Sequence, residues 1–427
     1  MVHRFFECDV LVLGGGSAGV AAAVTASRAG ASTILLERQG FLGGMATAAL
    51  VHSVCGLYFL SEHPEPRLAH LGFPTEFANR LISTGAARGP VRMGRMDVLF
   101  HSPPGFAAVC DGFVTETPHL STHFHSELIE AFRLNDKILE AEFTCRGVRS
   151  RVRAKTWIDA SGDAELCFAA GVATNQSSSA SLQRPAFIFA IQGVAIPLLD
   201  EQGRIRLAAG MATAVREGKL NPGALGTQVR STHRGSEAYV TLDLSASDLF
   251  DPTDPTQISE LEVEGRRLAI DVFNFLTTTQ PAFKDAHLSA FPSRIGIRES
   301  RRLMGRSILE GNAVLSGADS SETVALGTWP IENREQNTGP KWRFPLNNRP
   351  TQIPLGALHS SVASNLWAAG RCISCDHEAQ AAIRVMGTCM ASGQAAGAAA
   401  AIQALDSQQT PPSAPQVTHL IANLATT

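Results

Sequence analysis

A glycine-rich turn near the start of the chain constrains the fold more than any other feature. The turn contains Gly14, Gly16 and Gly19 in the spacing G-x-G-x-x-G. The apolar run 9–13 before it predicts a buried parallel strand, and the alanine-rich run 17–28 after it predicts a helix. Such a strand–turn–helix unit binds the pyrophosphate of a dinucleotide, because the free N–H groups at the helix start attract phosphate oxygens.

The residues that follow this unit complete the pattern. The run 33–36 predicts a second strand, and Glu37 ends it about twenty residues after the glycines begin, where an acid accepts hydrogen bonds from a ribose. Gly43 and Gly44, just past the second strand, allow the backbone to pass close to a flat ligand or a phosphate. We therefore expect the chain to bind a dinucleotide.

The composition excludes several classes of protein. The chain has 427 residues, of which 44% are hydrophobic and 18% charged, so it contains enough apolar residues for a large core. A formal net charge of -3 argues against a general surface for nucleic acids or anionic membranes. No apolar run approaches the roughly twenty residues of a membrane span, and the first strand leaves no room for a signal peptide. Because the 8 cysteines show no dense repeated spacing, we expect buried thiols and a cytoplasmic location.

Two later segments resemble the first in having a strand followed by a glycine turn. Residues 155–162, KTWIDASG, predict a strand with a tight turn at its carboxyl end, which is where open parallel sheets bind ligands. Residues 365–371 predict a third strand and glycine turn, and residues 390–402 a helix of small residues. We expect these segments to complete the cofactor site.

Residues 121–152, which precede the first of these two segments, give weaker signals. The run SELIEAF within residues 121–132 predicts a helix, and the runs 138–143 and 148–152 predict a hairpin. His123 and His125 form an H-x-H pair. No third ligand follows at helical spacing, so we predict no metal site.

Residues 176–354 differ in their sequence pattern from the segments predicted to bind the dinucleotide. The runs 185–194 and 237–244 predict strands of another sheet, and the run 258–275 predicts a long amphipathic helix. The run 294–310 predicts a short strand followed by a basic helix. The basic residues of that run that we single out are Arg298, Arg301 and Arg302. They either anchor an anionic ligand or pair with nearby acids.

These motifs, in this order, resemble the FAD-dependent oxidoreductase family with the glutathione-reductase-like FAD-binding fold, related to the flavoproteins of fumarate reductase and succinate dehydrogenase. The stretches that carry the resemblance are VLGGGSAG with Glu37, LGGMAT, WIDASGDAEL, RIGIRESRRLMG and NLWAAGRCISCDHEAQAAIRVMGTCMASGQAAG. They extend from about residue 9 to residue 402, so they cover nearly the whole chain. The glycine turn alone is unspecific, whereas the last two stretches together are specific.

The resemblance implies an α/β fold, in which a Rossmann-like, three-layer FAD-binding domain with a parallel sheet carries an inserted α+β substrate domain. The implied segments are residues 1–60, 118–175 and 355–405 for the FAD-binding domain, 61–117 for a loop-rich part lining the substrate cavity, 176–354 for the substrate or cap domain, and 406–427 for a C-terminal tail.

The resemblance also implies which residues hold FAD. The glycine turn would hold the pyrophosphate, Glu37 the adenosine ribose, a second turn the flavin end, and a helix start near residue 386 the pyrimidine edge of the flavin. Arg371 is a departure, because many relatives carry there an acid that holds the ribityl chain. The implied set is Gly14, Gly16, Ser17, Ala18, Gly19, Glu37, Arg38, Gly43, Gly44, Thr47, Ala160, Gly162, Asp163, Gly370, Arg371, Met386, Gly387 and Thr388.

Three residues are implied for catalysis. His377 and Arg384 fall where fumarate-reductase-like relatives place a histidine and an arginine facing the substrate, although the HGxNRLGG pattern of those relatives is absent. We predict His377 as the acid–base or substrate-binding residue, Arg384 as the anion binder and Glu378 as an orienting partner. A structural role for the histidine is the alternative.

We therefore predict a dehydrogenase or oxidase that transfers a hydride between FAD and a small, polar or anionic organic substrate. Because no second G-x-G-x-x-G occurs in a strand–helix context, the electron acceptor is oxygen, a quinone or a protein. We expect no nucleic-acid or membrane partner. The sequence does not exclude a homodimer. The alternatives are an FAD monooxygenase, a dithiol oxidoreductase that uses Cys372 and Cys375, and a flavin-binding partner in RNA modification or regulation.

Overall fold

The computed structural model describes residues 4–199, 201–232, 235–245, 249–336 and 339–426. The strands are β1 (Arg4–Leu13), β2 (Thr33–Leu36), β3 (Ser53–Val54), β4 (Val91–Met93), β5 (Met96–Phe100), β6 (Leu120–His123), β7 (Glu127–Leu134), β8 (Lys137–Cys145), β9 (Val148–Asp159), β10 (Thr174–Asn175), β11 (Ala186–Gln192), β12 (Gln228–Ser231), β13 (Ala238–Asp243), β14 (His287–Ala290), β15 (Arg302–Leu303), β16 (Thr323–Gly327), β17 (Ile331–Asn333), β18 (Lys341–Arg343), β19 (Thr351–Pro354) and β20 (Leu366–Ala368). The helices are α1 (Ser17–Arg28), α2 (Phe73–Ser83), α3 (Pro103–Glu116), α4 (Glu165–Ala169), α5 (Glu201–Arg216), α6 (Pro255–Thr279), α7 (Gly311–Ser316), α8 (Leu355–Leu358), α9 (His377–Ile383), α10 (Met386–Leu405) and α11 (Ala414–Leu424).

The main sheet has the strand order β6–β2–β1–β9–β8–β7, and β20 also pairs with β9. The pairs β6–β2, β2–β1, β1–β9 and β9–β20 are parallel, whereas β8 and β7 are antiparallel to their neighbours. The carboxyl ends of β1, β2, β9 and β20 therefore meet at one edge of the sheet, the edge that binds ligands in such folds. The predicted α/β architecture with a Rossmann-like parallel sheet is confirmed.

Helices α1 and α10 pack closely because their contact surfaces consist of small residues. A Cβ atom at Gly393 would overlap the carbonyl oxygen of Ala18, and one at Gly397 would overlap that of Ala22. Both helices are almost entirely buried, which explains why their sequences lack the polar face of an ordinary surface helix. The contact holds the starts of both helices near the carboxyl edge of the sheet.

A second hydrophobic core lies around the antiparallel sheet β12–β13–β11–β14 and helices α5 and α6. Its apolar residues come from 182–297, whereas Leu303, Ile331 and Ile353 belong to the main core. Helix α6 begins after Asp254, whose carboxylate accepts hydrogen bonds from the N–H groups of Thr256 and Gln257. The opposite face of this sheet, including Ile188 on β11, is turned toward the main domain.

Several predicted elements have other structures. Residues 121–132 contain the ends of β6 and β7 instead of a helix, because β7 is paired with β8, and such tertiary pairing overrides local propensity. Residues 294–310 form no basic helix: apart from β15, the backbone is irregular, and Arg302 there pairs with the buried Glu299 at 2.6 Å. The tail ends in the short helix that the sequence predicts, α11, but this helix packs on the main core, since its Val417 is fully buried.

None of the helices in the described parts of the chain combines the length and the apolar character that spanning a membrane requires.

Candidate functional site

A continuous cavity of about 640 Å³ begins at the carboxyl edge of the main sheet. Its nucleotide end is lined by the glycine turn, and its volume is in the range of cofactor and small-molecule sites. The cavity continues between the main domain and the second sheet into what we call the distal compartment. The residues that define the distal compartment are His52, Phe100, Arg230, Trp329, Trp342 and Arg384.

The structure brings most of the predicted cofactor residues together at this cavity. Those that line it are Gly14, Gly16, Ser17, Ala18, Glu37, Arg38, Gly44, Ala160, Gly162, Gly370, Arg371 and Met386. The others of the set lie behind the lining and are Gly19, Gly43, Thr47, Asp163, Gly387 and Thr388.

The three fingerprint glycines are needed for different reasons. Gly14 has a φ of +100°, and a Cβ atom there would lie 2.6 Å from the carbonyl oxygen of Ala160. A Cβ atom at Gly19 would overlap the carbonyl oxygen of Gly14, so the turn itself excludes a side chain there. At Gly16 the nearest atom to a Cβ would be the Cα of Gly44 at 3.8 Å. Gly16 therefore leaves open space at the start of α1, where a pyrophosphate is stabilised by helix N–H groups.

Glu37 is held in place by the backbone of the two turns. One carboxylate oxygen accepts a hydrogen bond of 2.6 Å from the Gly15 N–H, and the other accepts one of 2.7 Å from the Gln39 N–H. Each carboxylate oxygen has a second lone pair, so the buried side chain can still accept hydrogen bonds from ribose hydroxyl groups. This arrangement suits the predicted ribose contact.

The second glycine turn packs directly on the first. The Gly43 N–H donates to the carbonyl oxygen of Gly15 at 2.9 Å, and Gly44 lies against Gly16. Thr47 does not reach the cavity, because its hydroxyl group donates to the carbonyl oxygen of Leu42 at 2.9 Å and so closes the turn. In this turn the backbone of Gly44 and the side chain of Met45 line the cavity.

Arg371 ties three segments together beneath the cavity. Its guanidinium group donates to the carbonyl oxygens of Gly162 and Ile297 and pairs with Asp163 at 2.6 Å. Burial raises the pKa of Asp163, but Arg371 together with hydrogen bonding from Ser300 outweighs this effect and holds the pKa below its ordinary value. Each of the three guanidinium nitrogens thus donates to a protein group, which gives Arg371 a structural role at this edge of the sheet.

The start of α10 points toward the cavity, and Met386 and Cys389 of its first turn line it. Met386 borders the cavity, whereas the Gly387 N–H donates to the carbonyl oxygen of Cys55 at 2.8 Å. Thr388 is fully buried. A helix of 20 residues still directs the positive end of its dipole at this position, which favours negative charge on a ligand.

Arg294 also lines the cavity. It is the first residue of the stretch RIGIRESRRLMG, but the sequence alone did not indicate that it would reach the site. Its Nε–H is buried and has no hydrogen-bond partner among the described residues. Burial, together with the nearby charge of Arg38, lowers the pKa of Arg294. A guanidinium with an unsatisfied N–H on the wall shared with the glycine turn favours a bound anion, and the pyrophosphate of FAD is such an anion. The residues at the nucleotide end therefore fit FAD.

His377 and Glu378 do not line the cavity. The two ring nitrogens of His377 lie 2.8 Å from a carboxylate oxygen of Glu299 and 3.1 Å from one of Glu335, so neither is free for a substrate. Glu378 pairs with Arg343, away from the cavity. Arg384 is the member of the predicted catalytic set that reaches the cavity, and the structure does not bring the three together.

Replacing His377 by alanine should destabilise the protein mainly at mildly acidic pH. Burial lowers the pKa of His377, but the two carboxylates outweigh this and raise it above 6.5. The contribution of His377 to the free energy of unfolding is therefore fully present below pH 6.5. It is lost as the pH rises through the raised pKa of this histidine. Because the pKa of Glu299 is lowered from 4.5 to about 2, the contribution of that carboxylate is lost as the pH falls from 4.5 toward 2.

Thermal melting of the wild type and the His377→Ala variant across pH would measure this difference. We expect the largest difference in melting temperature between pH 4.5 and 6.5. A difference that stays constant up to alkaline pH would contradict the charged pairing.

Two arginines in the distal compartment have no carboxylate partner among the residues that the structure describes. Arg384 lies between α9 and α10; it donates to the carbonyl oxygen of Glu332 at 3.2 Å, and its buried Nε–H has no partner within the described part of the chain. Arg230 on β12 contacts the side chain of Gln228 at 3.0 Å and the sulfur of Met93 at 3.5 Å. Burial lowers the pKa of both groups, that of Arg384 to about 10, so both stay charged near neutral pH.

The neighbouring arginines differ from these two because they are neutralised. Arg298 and Arg334 share Asp243, at 2.7 Å and 2.9 Å, and Arg334 also pairs with Glu332 at 2.7 Å. The carboxylates of Asp243 and Glu332 are thus already paired with these two arginines. The excess positive charge is carried by Arg230 and Arg384, and an organic anion would offset it.

His52 is a further cavity residue that the sequence analysis missed. Its ring is stacked between Tyr239 at 4.5 Å and Phe100 at 5.6 Å, and among the described residues neither ring nitrogen has a hydrogen-bond partner. Burial, His101 and Arg230 lower the pKa of His52 to about 3, so the imidazole is neutral at physiological pH. The neutral ring stacks flat against its aromatic neighbours and forms part of the cavity wall. No periodic pattern marked this residue, because its neighbours come from distant segments.

Two cysteine and histidine patterns lie away from the cavity. Cys372 and Cys375 are buried, and burial raises the pKa of Cys372 far above its ordinary value and that of Cys375 to about 12. These thiols do not line the cavity, so the structure does not support the dithiol alternative. His123 packs edge-on against Phe6, and within the described residues no group of three His, Cys, Asp or Glu side chains is arranged to hold a metal ion.

Comparisons with known proteins agree with this site. The family model described as "FAD dependent oxidoreductase" matches residues 9–424. No curated protein matches the chain significantly. Similar solved structures include a geranylgeranyl bacteriochlorophyll reductase-like protein from Thermoplasma acidophilum, with 14% identity, 98% of this chain and 83% of that chain covered, and a TM-score of 0.48.

Two other solved structures are comparably distant. The flavin-dependent brominase Bmp2 has 11% identity, with 98% of this chain and 84% of that chain covered and a TM-score of 0.49. The anhydrotetracycline hydroxylase OxyS from Streptomyces rimosus has 12% identity, with 98% and 66% covered and a TM-score of 0.47. The family match extends over nearly the whole chain, including the glycine turn, the strand ends and the start of α10. The chain therefore belongs to the family of FAD-dependent oxidoreductases, and FAD is its cofactor.

Proposed function

We propose that the protein transfers a hydride between FAD and an organic anion that binds in the distal compartment. The observation that carries this proposal is the pair of half-buried arginines, Arg230 and Arg384, that have no carboxylate partner within the described residues. A cation that is largely removed from water and faces a cavity favours an anionic ligand, because its charge is otherwise uncompensated.

The position of Arg384 relates this anion to the cofactor. Only Val385 separates Arg384 from Met386, where α10 begins and the cavity joins the nucleotide end. An anion held by Arg384 would thus lie beside the part of the cavity where the flavin ring is expected. When bound, FAD accepts or donates the two electrons of the reaction as a hydride.

The remaining residues of the compartment would orient the substrate and exclude water. His52 would contribute an uncharged ring to the wall, because its lowered pKa keeps it neutral. Apolar side chains cover most of the opposite wall, so the charge–charge contact is made in a low-dielectric environment where it is strong. The electron acceptor is proposed to be oxygen, a quinone or a protein.

The test is anaerobic mixing of the FAD-bound protein with a panel of organic acids and their neutral amides or alcohols. We expect an acid to bleach the oxidised-flavin absorption at least about 10-fold faster than its neutral analogue, because a lost charge-assisted contact costs roughly 1.5–3 kcal/mol. Admitting oxygen, and then a quinone in a separate sample, identifies the acceptor. Equal rates with acids and neutral analogues would overturn the proposal.

A further inference from the structure

We infer that the substrate is an acid with an apolar, ring-sized body, such as an aryl or arylalkyl carboxylate, rather than a compact hydrophilic acid. This inference rests on the proposed function and names the class of anion. It is carried by the wall of the distal compartment that faces the unpaired arginines.

That wall is built from aromatic and sulfur-containing side chains. Strands β4 and β5 contribute Met93, Met96 and Phe100, and the segments around β17 and β18 contribute Trp329 and Trp342. Met96 and Trp329 belong to a small hydrophobic cluster that is separate from the two larger cores. Cavity walls of this kind select ligands by apolar contact, with a few polar groups to fix the orientation.

The two tryptophans form an aromatic pair in which Trp329 presents its ring rather than its polar atom. Trp329 and Trp342 are packed edge to face with ring centroids 5.8 Å apart. The Trp329 N–H donates to a carboxylate oxygen of Glu332 at 2.9 Å, so its one polar group is already satisfied. The ring edges and faces that remain favour another aromatic ring.

The apolar wall adjoins the cationic side of the compartment. Arg230 reaches the sulfur of Met93 at 3.5 Å, and Val385, next to Arg384 in the chain, belongs to the same hydrophobic cluster as Trp329. A ligand whose carboxylate is bound by the arginines would therefore extend its body along this wall. A short acid would leave the wall in contact with water, which is unfavourable.

The experiment compares four probes with the FAD-bound protein: phenylacetate, phenethyl alcohol, acetate and succinate. Binding is followed by the perturbation of the flavin absorption spectrum and by calorimetry. We expect phenylacetate to bind at least about 10-fold more tightly than acetate or succinate, in line with the discrimination that apolar pockets achieve. Equal or tighter binding of acetate or succinate, or binding of none of the probes, would overturn the inference.

The neutral probe separates this inference from the proposed function. If phenethyl alcohol binds as tightly as phenylacetate, the apolar wall is supported while the requirement for an anion fails. If acetate and succinate bind as tightly as phenylacetate and phenethyl alcohol does not bind, the requirement for an anion is supported while the apolar body is ruled out.

Variants of Trp342 test the wall directly. Trp342→Ala should weaken phenylacetate binding at least about 10-fold and leave acetate binding unchanged, and Trp342→Phe should retain most of the affinity. The matched control is Phe168→Ala, because Phe168 is 64% exposed, packs against Arg301 and does not line the cavity. Equal weakening of phenylacetate and acetate in Trp342→Ala, with FAD retained, would overturn the inference.

Discussion

The Gly16→Val variant should fold and yet fail to bind FAD. The backbone at Gly16, with φ of -71° and ψ of -177°, is extended and suits a β-branched residue, so no strain arises. Apart from atoms of its own turn and helix, the nearest protein atom to a Cβ at this position would be the Cα of Gly44 at 3.8 Å, so the valine side chain would occupy the space of the cofactor instead. Losing two charge-assisted hydrogen bonds of about 1.5–3 kcal/mol each predicts a decrease in FAD affinity of at least ~100-fold.

The measurement is the flavin content after purification, followed by calorimetric titration of cofactor-free protein with FAD. The matched control is Gly89→Val, because Gly89 has no neighbour within 4 Å and lies outside the cavity lining, so this variant should keep its FAD. Cofactor-free Gly16→Val should melt within a few degrees of cofactor-free wild type, whereas Gly19→Val should unfold because its side chain would collide with the backbone of Gly14. A stoichiometric flavin content in Gly16→Val would contradict the assignment of the turn.

The nucleotide end could be predicted from the sequence because its signals are local. The spacing of Gly14, Gly16 and Gly19 belongs to one turn, and the run of small residues in α10 follows directly from close packing against α1. Each signal lies within one segment, and the strand ends converge because parallel strands share an edge. Tertiary contacts were not needed to place these elements.

The distal compartment could not be predicted in this way. The same holds for two residues outside this compartment, Arg371 and His377, because their roles depend on partners from other segments, Ile297 for the first and Glu299 with Glu335 for the second. Nothing in the local sequence distinguishes an arginine that is neutralised, such as Arg298, from one that is unpaired, such as Arg384. Only the arrangement of the second sheet against the main domain determines which arginines have a carboxylate partner and which do not.

The Arg384→Met variant should keep FAD and lose most of the reaction with an anionic substrate. Methionine approximates the length and apolar stem of arginine but carries no charge. Arg384 is charged near neutral pH, since its pKa is about 10, and removing one partner of a buried ion pair costs about 3–5 kcal/mol. We therefore expect the rate of flavin reduction at low substrate concentration to fall by roughly 100-fold to 1000-fold or more.

A structural role for Arg384 would give a different result. Burial lowers the pKa of Arg384 from 12.5, so the charge destabilises the substrate-free fold below about pH 10, and the methionine variant should melt at the same or a higher temperature. Added anion should stabilise the wild type but not the variant. Arg349→Met is the control, because Arg349 pairs with Asp319 at the surface and should leave reduction unchanged. Partial recovery in Arg384→Lys would identify the charge as the cause, whereas loss of FAD or a lower melting temperature in Arg384→Met would assign the residue to the scaffold.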